Sequence, residues 1–580
     1  MAKSDARFEY KSSLSRTDHD LSQRCGFTCA PGMELPIWFD FASPGDSYYM
    51  KHDLPLLRSD NLARPAMVDV KLHFETFFVP MQMIFQPFEN FIFAVKPIQS
   101  NFYTNVDAIS QYFPVFDYPN YVDNILNNHM SDTIHADAFR LADLMGLGSD
   151  IFTASSATYQ DGYAASFFPW QLLAYHTIWY YYFRLDDKTE FINYLSNWDS
   201  SYNTTQPIGS GLTYFMEIHQ RPWNFDYFTS MYRSPIVSSH NVGQLLPSFQ
   251  YSQLVGRSTV PIASGGFSST SNDSTSAFSS TVNGSYSSNS VRADFSTAMI
   301  RQMFANEKLA MITGRTKKNY DSQVLAHYGV HVPHDVKHDI TMVHHDEYVL
   351  NIQQVTSLSA TSDAALGELA GNGYASGKGE QFKFTAPCHG VMMTLFCVEP
   401  LKRYIGNFDR INAVSNIYDF PTPEFDRMGN VPMYRYESGY NITEVGFSNS
   451  DIIGWKERYY QYKRKYDKAT HAFDQSGVGS NTWSAYMLAG RPFATFAQKG
   501  NGISQRPDIE NRFYIERNAM DPLCLVNFHN GWIHSTSAQE ESWDNSPWMV
   551  YARDPFIVNS FIKCKKVSWM SKDGEPIYNY

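Results

Sequence analysis

Charge is scarce in this chain. Of its 580 residues only 18% are Asp, Glu, Lys or Arg, where a typical soluble domain carries about 25%. A chain that hides much of its surface against copies of itself can do with fewer. An excess of positive charge is lacking too: the formal balance is −12 and the isoelectric point about 5.8. That excludes a surface that grips nucleic acid throughout, so any such contact has to be a local basic patch on an acidic molecule. Cysteine is limited to Cys25, Cys29, Cys388, Cys397, Cys524 and Cys564. They are scattered and form no CxxC pair, which argues against a zinc ribbon or a disulfide scaffold and suits a reducing site of synthesis. Long apolar runs are missing. The most apolar stretch, WQLLAYHTIWYYYF from Trp170 to Phe183, is too short and too polar to span a bilayer. The opening MAKSDARFEYKSSLS has no apolar segment of the secretory kind. The expectation is a protein made in a cytoplasm that stays soluble or assembles there.

Catalytic signatures are also absent. No nucleophile elbow of GxSxG form and no HExxH occurs. Residues 371–379, GNGYASGKG, approach a phosphate loop but miss both forms: Ser376 stands where a dinucleotide fingerprint needs its third glycine, and Gly379 follows Lys378 where a P-loop needs Ser or Thr. A glycine-rich surface loop is expected there. Six of the 18 histidines, His327, His331, His334, His338, His344 and His345, crowd into 19 residues. Zinc would need several of them to converge with a carboxylate or cysteine, and Pro333 breaks the helical register between His331 and His334. A solvated or interface-lining, pH-sensitive segment is expected instead of a metal site. No two of the 58 carboxylates are singled out as a glycosidase pair. No enzyme, cofactor or metal is expected.

Aromatic residues, in contrast, make up 16% of the chain. They supply a core and the kind of side chain enriched at subunit interfaces. Length alone suggests three or four domains, a prior that all-β folds with long insertions break. Residues 68–79, VDVKLHFETFFV, alternate apolar and polar, which predicts a strand with one buried face ended by Pro80. Residues 33–41 predict an earlier strand leading into the turn Ser43-Pro44-Gly45-Asp46. Residues 389–399 predict a strand buried on both faces, and Phe556, Val558, Ser560, Ile562 and Cys564 mark another near the end. Helices are expected over 168–183 and 295–312, the latter stopped by Gly314. Distant strands, long loops and little helix point to an all-β sandwich or jelly roll with large insertions.

Two compositional features stand out. Residues 264–290 contain 12 serines and a single charge, Asp273, so they cannot form a core of their own. Phe267, Phe278 and Tyr286 recur inside the run, which favours an exposed insertion over a plain linker. The second feature is 455–468, WKERYYQYKRKYDK. Lys456, Arg458, Lys463, Arg464, Lys465 and Lys468 are interleaved with Tyr459, Tyr460, Tyr462 and Tyr466. Cations meet phosphates and rings stack on bases, but the same pattern also describes a structural segment with inward tyrosines and solvated charges. Lys563, Lys565 and Lys566 form a second basic cluster, and Arg315, Lys317 and Lys318 a third.

Several segments resemble one family. LPIWFDFASPGDSYYM carries a proline–glycine–aspartate turn after its strand, and FETFFVP ends an aromatic strand in Val-Pro. LAYHTIWYYYFRLDD, DYFTS at Asp226 to Ser230, IIGWKERYYQYKRKYDKATHAF and RDPFIVNSFIKCKKVSWMSKDGEP follow in order. Together they resemble the major capsid protein of the microviruses, small icosahedral phages with single-stranded DNA, in its gokushovirus-like branch. The N-terminal elements of that family survive only loosely between Arg7 and His19.

The resemblance implies an eight-stranded antiparallel jelly roll of viral capsid type, assembled as a T=1 shell. It implies a jelly-roll part over 1–233, a surface insertion over 234–292 forming threefold protrusions, and the remainder of the jelly roll over 293–580. Implied partners are copies of the chain, packaged single-stranded DNA, a small basic DNA-binding protein, an internal scaffolding protein, a pilot protein and a host surface receptor. Implied places are the virion and, for assembly, the bacterial cytoplasm. On the residues, Lys456, Arg458, Tyr459, Tyr462, Lys463, Arg464, Lys465, Tyr466, Lys563, Lys565 and Lys566 are candidates for interior DNA contact, and Phe267, Phe278 and Tyr286 for host attachment. The rival readings are a carbohydrate-binding or adhesin-like β protein and a β-rich hydrolase.

Overall fold

The computed structural model describes residues 16–62, 67–85, 133–148, 169–185, 217–232, 339–356, 369–438 apart from 405, 415–416 and 427–428, 452–470 and 554–570, with a few isolated positions including 513–515 and 517. Two antiparallel sheets face each other. The first places β1 (Thr17–Asp20) and β2 (Gln23–Cys29) along one edge of β14 (Phe556–Ser568). It continues through β4 (Ser47–Leu62) and β8 (Leu369–Thr385) to β7 (Asn351–Thr356). The second runs β3 (Leu35–Ala42), β9 (Gly390–Pro400), β5 (Val70–Pro80) and β6 (Thr341–Val349). One apolar core joins them, with ring contacts across the gap such as Phe27 to Phe396 at 5.3 Å and Phe78 to Phe384 at 5.2 Å. This is the layered plan of an all-β jelly roll.

The sequence pattern explains most of this. In β14, period-two alternation buries Phe556, Val558, Ser560, Ile562 and Cys564 and exposes the residues between Ile557 and Lys565 that face the other way, apart from half-buried Phe561. β9 is buried along its whole length, as its unbroken apolar run predicts. The turn after β3 is held by the Asp46 N–H donating to the Ser43 carbonyl at 3.0 Å, and Gly45 takes a positive φ of 85° there. That conformation is easy only without a Cβ.

Two expectations are corrected. β5 was expected to bury one face, yet His73 and Glu75 are only 4% and 5% exposed. The segment 217–222 crosses that face and brings Arg221 onto it, so polar residues are covered and paired. Residues 371–379 are not a surface loop but part of β8. A Cβ on Gly377 would lie 2.3 Å from the Tyr348 ring, and one on Gly379 would lie 2.3 Å from the His52 carbonyl. These glycines let two layers approach closely.

The helical elements are α1 (Met81–Ile84), α2 (Thr133–Leu144), α3 (Trp170–Ile178) and a further turn, α4 (Tyr460–Lys463). α3 runs on into a wider π-type turn over Trp179–Phe183 and is buried nearly all round. The helix expected over 295–312 lies almost wholly outside the described residues, with helical positions at Lys308 and Ile312. Two small ribbons are also among the described residues: β11 (Asn430–Tyr434) with β12 (Ile452–Glu457), antiparallel, and β10 (Arg403–Tyr404) with β13 (Ala489–Gly490), parallel. No described helix is long and apolar enough to cross a membrane.

Candidate nucleic-acid interface and buried ionic clusters

The basic, tyrosine-rich stretch is half structural. β12 pairs through Trp455 with Tyr232, each N–H donating to the other's carbonyl at 2.8 Å. The chain then reverses at Tyr459, whose φ of 62° is the one positive value at a non-glycine among the described residues. This turn sends Tyr460 into a second apolar cluster with Tyr227, Phe228, Met231, Tyr404, Met433 and Phe513. Glu437 is buried there, accepting from Tyr227 Oη at 3.1 Å, from Arg410 Nη1 at 3.0 Å and from Tyr460 Oη. The DYFTS segment docks on the same cluster. Asp226 Oδ1 accepts the N–H groups of Phe228 and Thr229, both at 2.8 Å, which fixes a tight Asx turn. Tyr404 donates to the other Asp226 oxygen.

Each DNA-contact candidate now has a place. Lys456 is 3% exposed and donates to Ser230 Oγ at 2.7 Å and to the Tyr227 carbonyl, so it is a structural cation and is withdrawn from that role. Tyr459 is buried. Arg458 is half-buried, its guanidinium 5.4 Å from the Phe425 ring centre. Tyr466 is half-buried and donates to Asp409. Tyr462, Lys463, Arg464 and Lys465 are exposed. Lys463 meets Asp426 at 2.5 Å and Arg464 meets Glu457 at 3.8 Å, surface pairs that cost little to exchange for phosphate.

In β14 the period of two separates the second cluster. Lys563 and Lys565 face solvent, near Asp53 at 2.9 Å and Asp18 at 3.0 Å. Lys566 faces inward, 4% exposed, pairing with Asp40 at 2.8 Å and Asp46 at 3.2 Å. It too is withdrawn. Phe267, Phe278 and Tyr286, the insertion 234–292 and the third basic cluster lie outside the described residues.

Beside Lys465 opens a cavity of about 230 Å³ whose lining includes Trp223, Phe225, Lys402, Tyr404 and Tyr466. Lys402 Nζ lies 5.3 Å from the Trp223 ring centre. Sequence reading missed Trp223, Phe225 and Lys402, because they sit far from the basic stretch in the chain.

The other polar concentrations surround β5 and β6. On the outer face of the second sheet, Arg221 donates to Glu34 Oε1 at 3.0 Å and bidentately to Glu75 at 2.9 and 3.1 Å, with Glu399 3.7 Å from its Nε. Burial pushes the Glu34 carboxyl up to about 7 against the pull of Arg221. Burial also works to raise Glu75, but the Arg221 charge and hydrogen bonds outweigh it and hold that carboxyl below its usual value. His73 bridges Glu399 at 2.8 Å and His345 at 3.0 Å. Between the sheets, His52 of β4 reaches Asp346 at 2.9 Å and Thr76 at 2.8 Å. Burial holds the His52 imidazole below its ordinary pKa. The histidine-rich segment therefore contributes two structural positions, His344 and His345; His327, His331, His334 and His338 lie outside the described residues. The signal that could have found them was strand alternation in His-His-Asp-Glu, residues 344–347.

Comparison with known proteins agrees with this architecture. The profile of a family described as capsid protein (F protein) matches residues 9–140 and 153–534. Capsid protein VP1 of Chlamydia phage 1 is 22% identical over 591 aligned positions, covering 88% of this chain and 94% of that protein.

Proposed function

The chain belongs to the phage F-protein capsid family, the major capsid proteins of the microviruses, and on that premise we propose that its copies close into a T=1 icosahedral shell around a single-stranded DNA genome. As a capsid protein it is a structural component of the virion rather than an enzyme. What carries the reading is a sandwich of two antiparallel sheets built by a chain whose family match takes in every strand of both except β14. Exposed Ile417, Phe420 and Ile557 offer apolar side chains for contacts between copies, and closed symmetry needs ring-closing or self-complementary patches.

The genome-facing patch is assigned to Tyr462, Lys463, Arg464 and Lys465 with the neighbouring aromatic cavity, and secondarily to Lys563 and Lys565. Exposed cations give non-specific phosphate attraction, and Trp223, Phe225 and Tyr466 offer rings for unpaired bases. Residues 234–292 are assigned to a surface insertion used in host attachment through Phe267, Phe278 and Tyr286. A small basic protein, a scaffolding protein, a pilot protein and a host receptor are the partners this reading implies, with assembly in the bacterial cytoplasm.

Charge reversal at Lys463, Arg464 and Lys465 together tests the central assignment. Negative-stain microscopy of the phage should still show closed particles, while the fraction filled with genome drops sharply. Normal packaging and virion stability would remove these residues from the DNA contact. Deletion of 264–290 should spare assembly and impair attachment; loss of assembly would make that stretch structural.

A further inference from the structure

The geometry points to a zinc site between the two sheets, formed by His52 Nδ1, His344 Nε2 and the Asp346 carboxylate. The three donor atoms lie within 4.8 Å of one another. His52 Nδ1 is 2.9 Å from Asp346 Oδ2, and His344 Nε2 is 3.2 Å from Asp346 Oδ1. In a zinc tetrahedron with bonds of 2.0–2.1 Å, neighbouring ligand atoms sit about 3.3 Å apart, so these separations need little adjustment. His344 Nε2 is buried, and its neighbour there is Asp346 Oδ1.

The frame around the three is built. His344 and Asp346 alternate with His345 and Glu347 along β6, so the first pair faces into the sandwich and the second faces out. His52 comes from the opposite sheet and is fully buried. Its other ring nitrogen, Nε2, meets Thr76 Oγ1 at 2.8 Å, and Thr76 meets Thr394 Oγ1 at 2.8 Å. Both hydroxyls can donate or accept. The ring can therefore carry its proton on Nε2 when a metal takes Nδ1, or on Nδ1 when Asp346 accepts it, and it keeps its bond to Thr76 in either case. An acceptor that takes the other ring N–H and so orients a ligating histidine is common at metal centres, and Thr76 Oγ1 stands in that place. The His344 ring stacks on Phe382 at 4.2 Å and 18°, which fixes its direction. The His344 and Asp346 side chains keep 20% and 11% exposure, so the cluster is not wholly sealed from solvent. The outward set, His73, His345 and Glu347, is weaker, because Glu347 is already engaged by Lys71 at 2.9 Å.

The test strips purified assembled protein with EDTA, dialyses it against zinc chloride and measures bound zinc by mass spectrometry. One tight equivalent per chain is expected. His344→Gln and Asp346→Asn should lose it, and His345→Gln, on the opposite face, should keep it. Thr76→Val should weaken uptake by about 10–100-fold. Cobalt(II) loaded into the unaltered protein gives a reading that needs no variant: the intense visible bands of a tetrahedral nitrogen–oxygen site support the assignment. No retained equivalent, an equivalent that survives His344→Gln, or a weak octahedral cobalt spectrum would overturn it.

Discussion

Replacing Arg221 with Met should destabilise the subunit more than most single substitutions. The guanidinium lies against the outer face of the second sheet and is the cation shared by Glu34, Glu75 and Glu399, which are 1%, 5% and 1% exposed. Methionine keeps much of the apolar stem that packs near Phe183 but leaves three buried carboxylates without their counter-charge. Breaking a buried pair in this way costs about 3–5 kcal/mol. The loss has a pH signature. Without Arg221, burial and mutual repulsion raise the Glu34 and Glu75 carboxyl pKa values above the unfolded range near 4.3. The native state then holds more protons than the unfolded one, so stability falls as pH rises through the raised values. The full penalty is expected at pH 8, and most of it should vanish near pH 5. Thermal unfolding of variant and parent, followed by intrinsic fluorescence across that range, reads both effects. A loss below about 1 kcal/mol at pH 8, or one that does not change with pH, would refute the claim that Arg221 neutralises this cluster.

Glu34→Gln tests the same cluster from the acid side. Its folded pKa of about 7 lies above the ordinary value of 4.5, so in the parent its contribution is present below the unfolded value and lost as pH rises through 7. The variant should be more stable than the parent at pH 8, by roughly 3 kcal/mol at 1.36 kcal/mol per unit, and should flatten the stability profile between pH 5 and 7. Lys566→Met should lower the unfolding temperature without changing DNA content of the particles, since it strands buried Asp46 and removes no outward charge; reduced packaging at unchanged stability would reverse that reading. Gly377→Ala drives a methyl group into the Tyr348 ring and should cost about 1–3 kcal/mol in chemical denaturation; a neutral result would mean β6 and β8 can part there.

Much of the candidate interface could be read in the chain, but not its division of labour. Basic residues at 456–468 and 563–566 are visible as composition. Whether each ammonium faces solvent depends on what covers it. Lys456 and Lys465 sit in one stretch, yet the first is sealed under Tyr227 and Ser230 and the second opens on a cavity. For Lys565 and Lys566 the period of two was a legible clue: neighbours in a strand take opposite faces. The cavity's Trp223, Phe225 and Lys402 were out of reach, because nothing local links them to Lys465.

Sequence alone settled the class of this protein. Period-two alternation in β14, the unbroken apolar run of β9 and the turn at 43–46 are local steric and hydrophobic signals, and they specify strands wherever they occur. Six ordered segments tied those strands to a capsid family. The tertiary structure decided what alternation could not: which polar faces are covered. β5 reads as half-exposed until 217–222 lies across it and Arg221 neutralises its glutamate. β8 reads as a glycine loop until Tyr348 fills the space its side chains would need. His52 and His344 are 292 positions apart and meet only because two sheets stack. Burial and charge pairing are properties of the neighbours a residue acquires on folding, and strands far apart in the chain supply those neighbours.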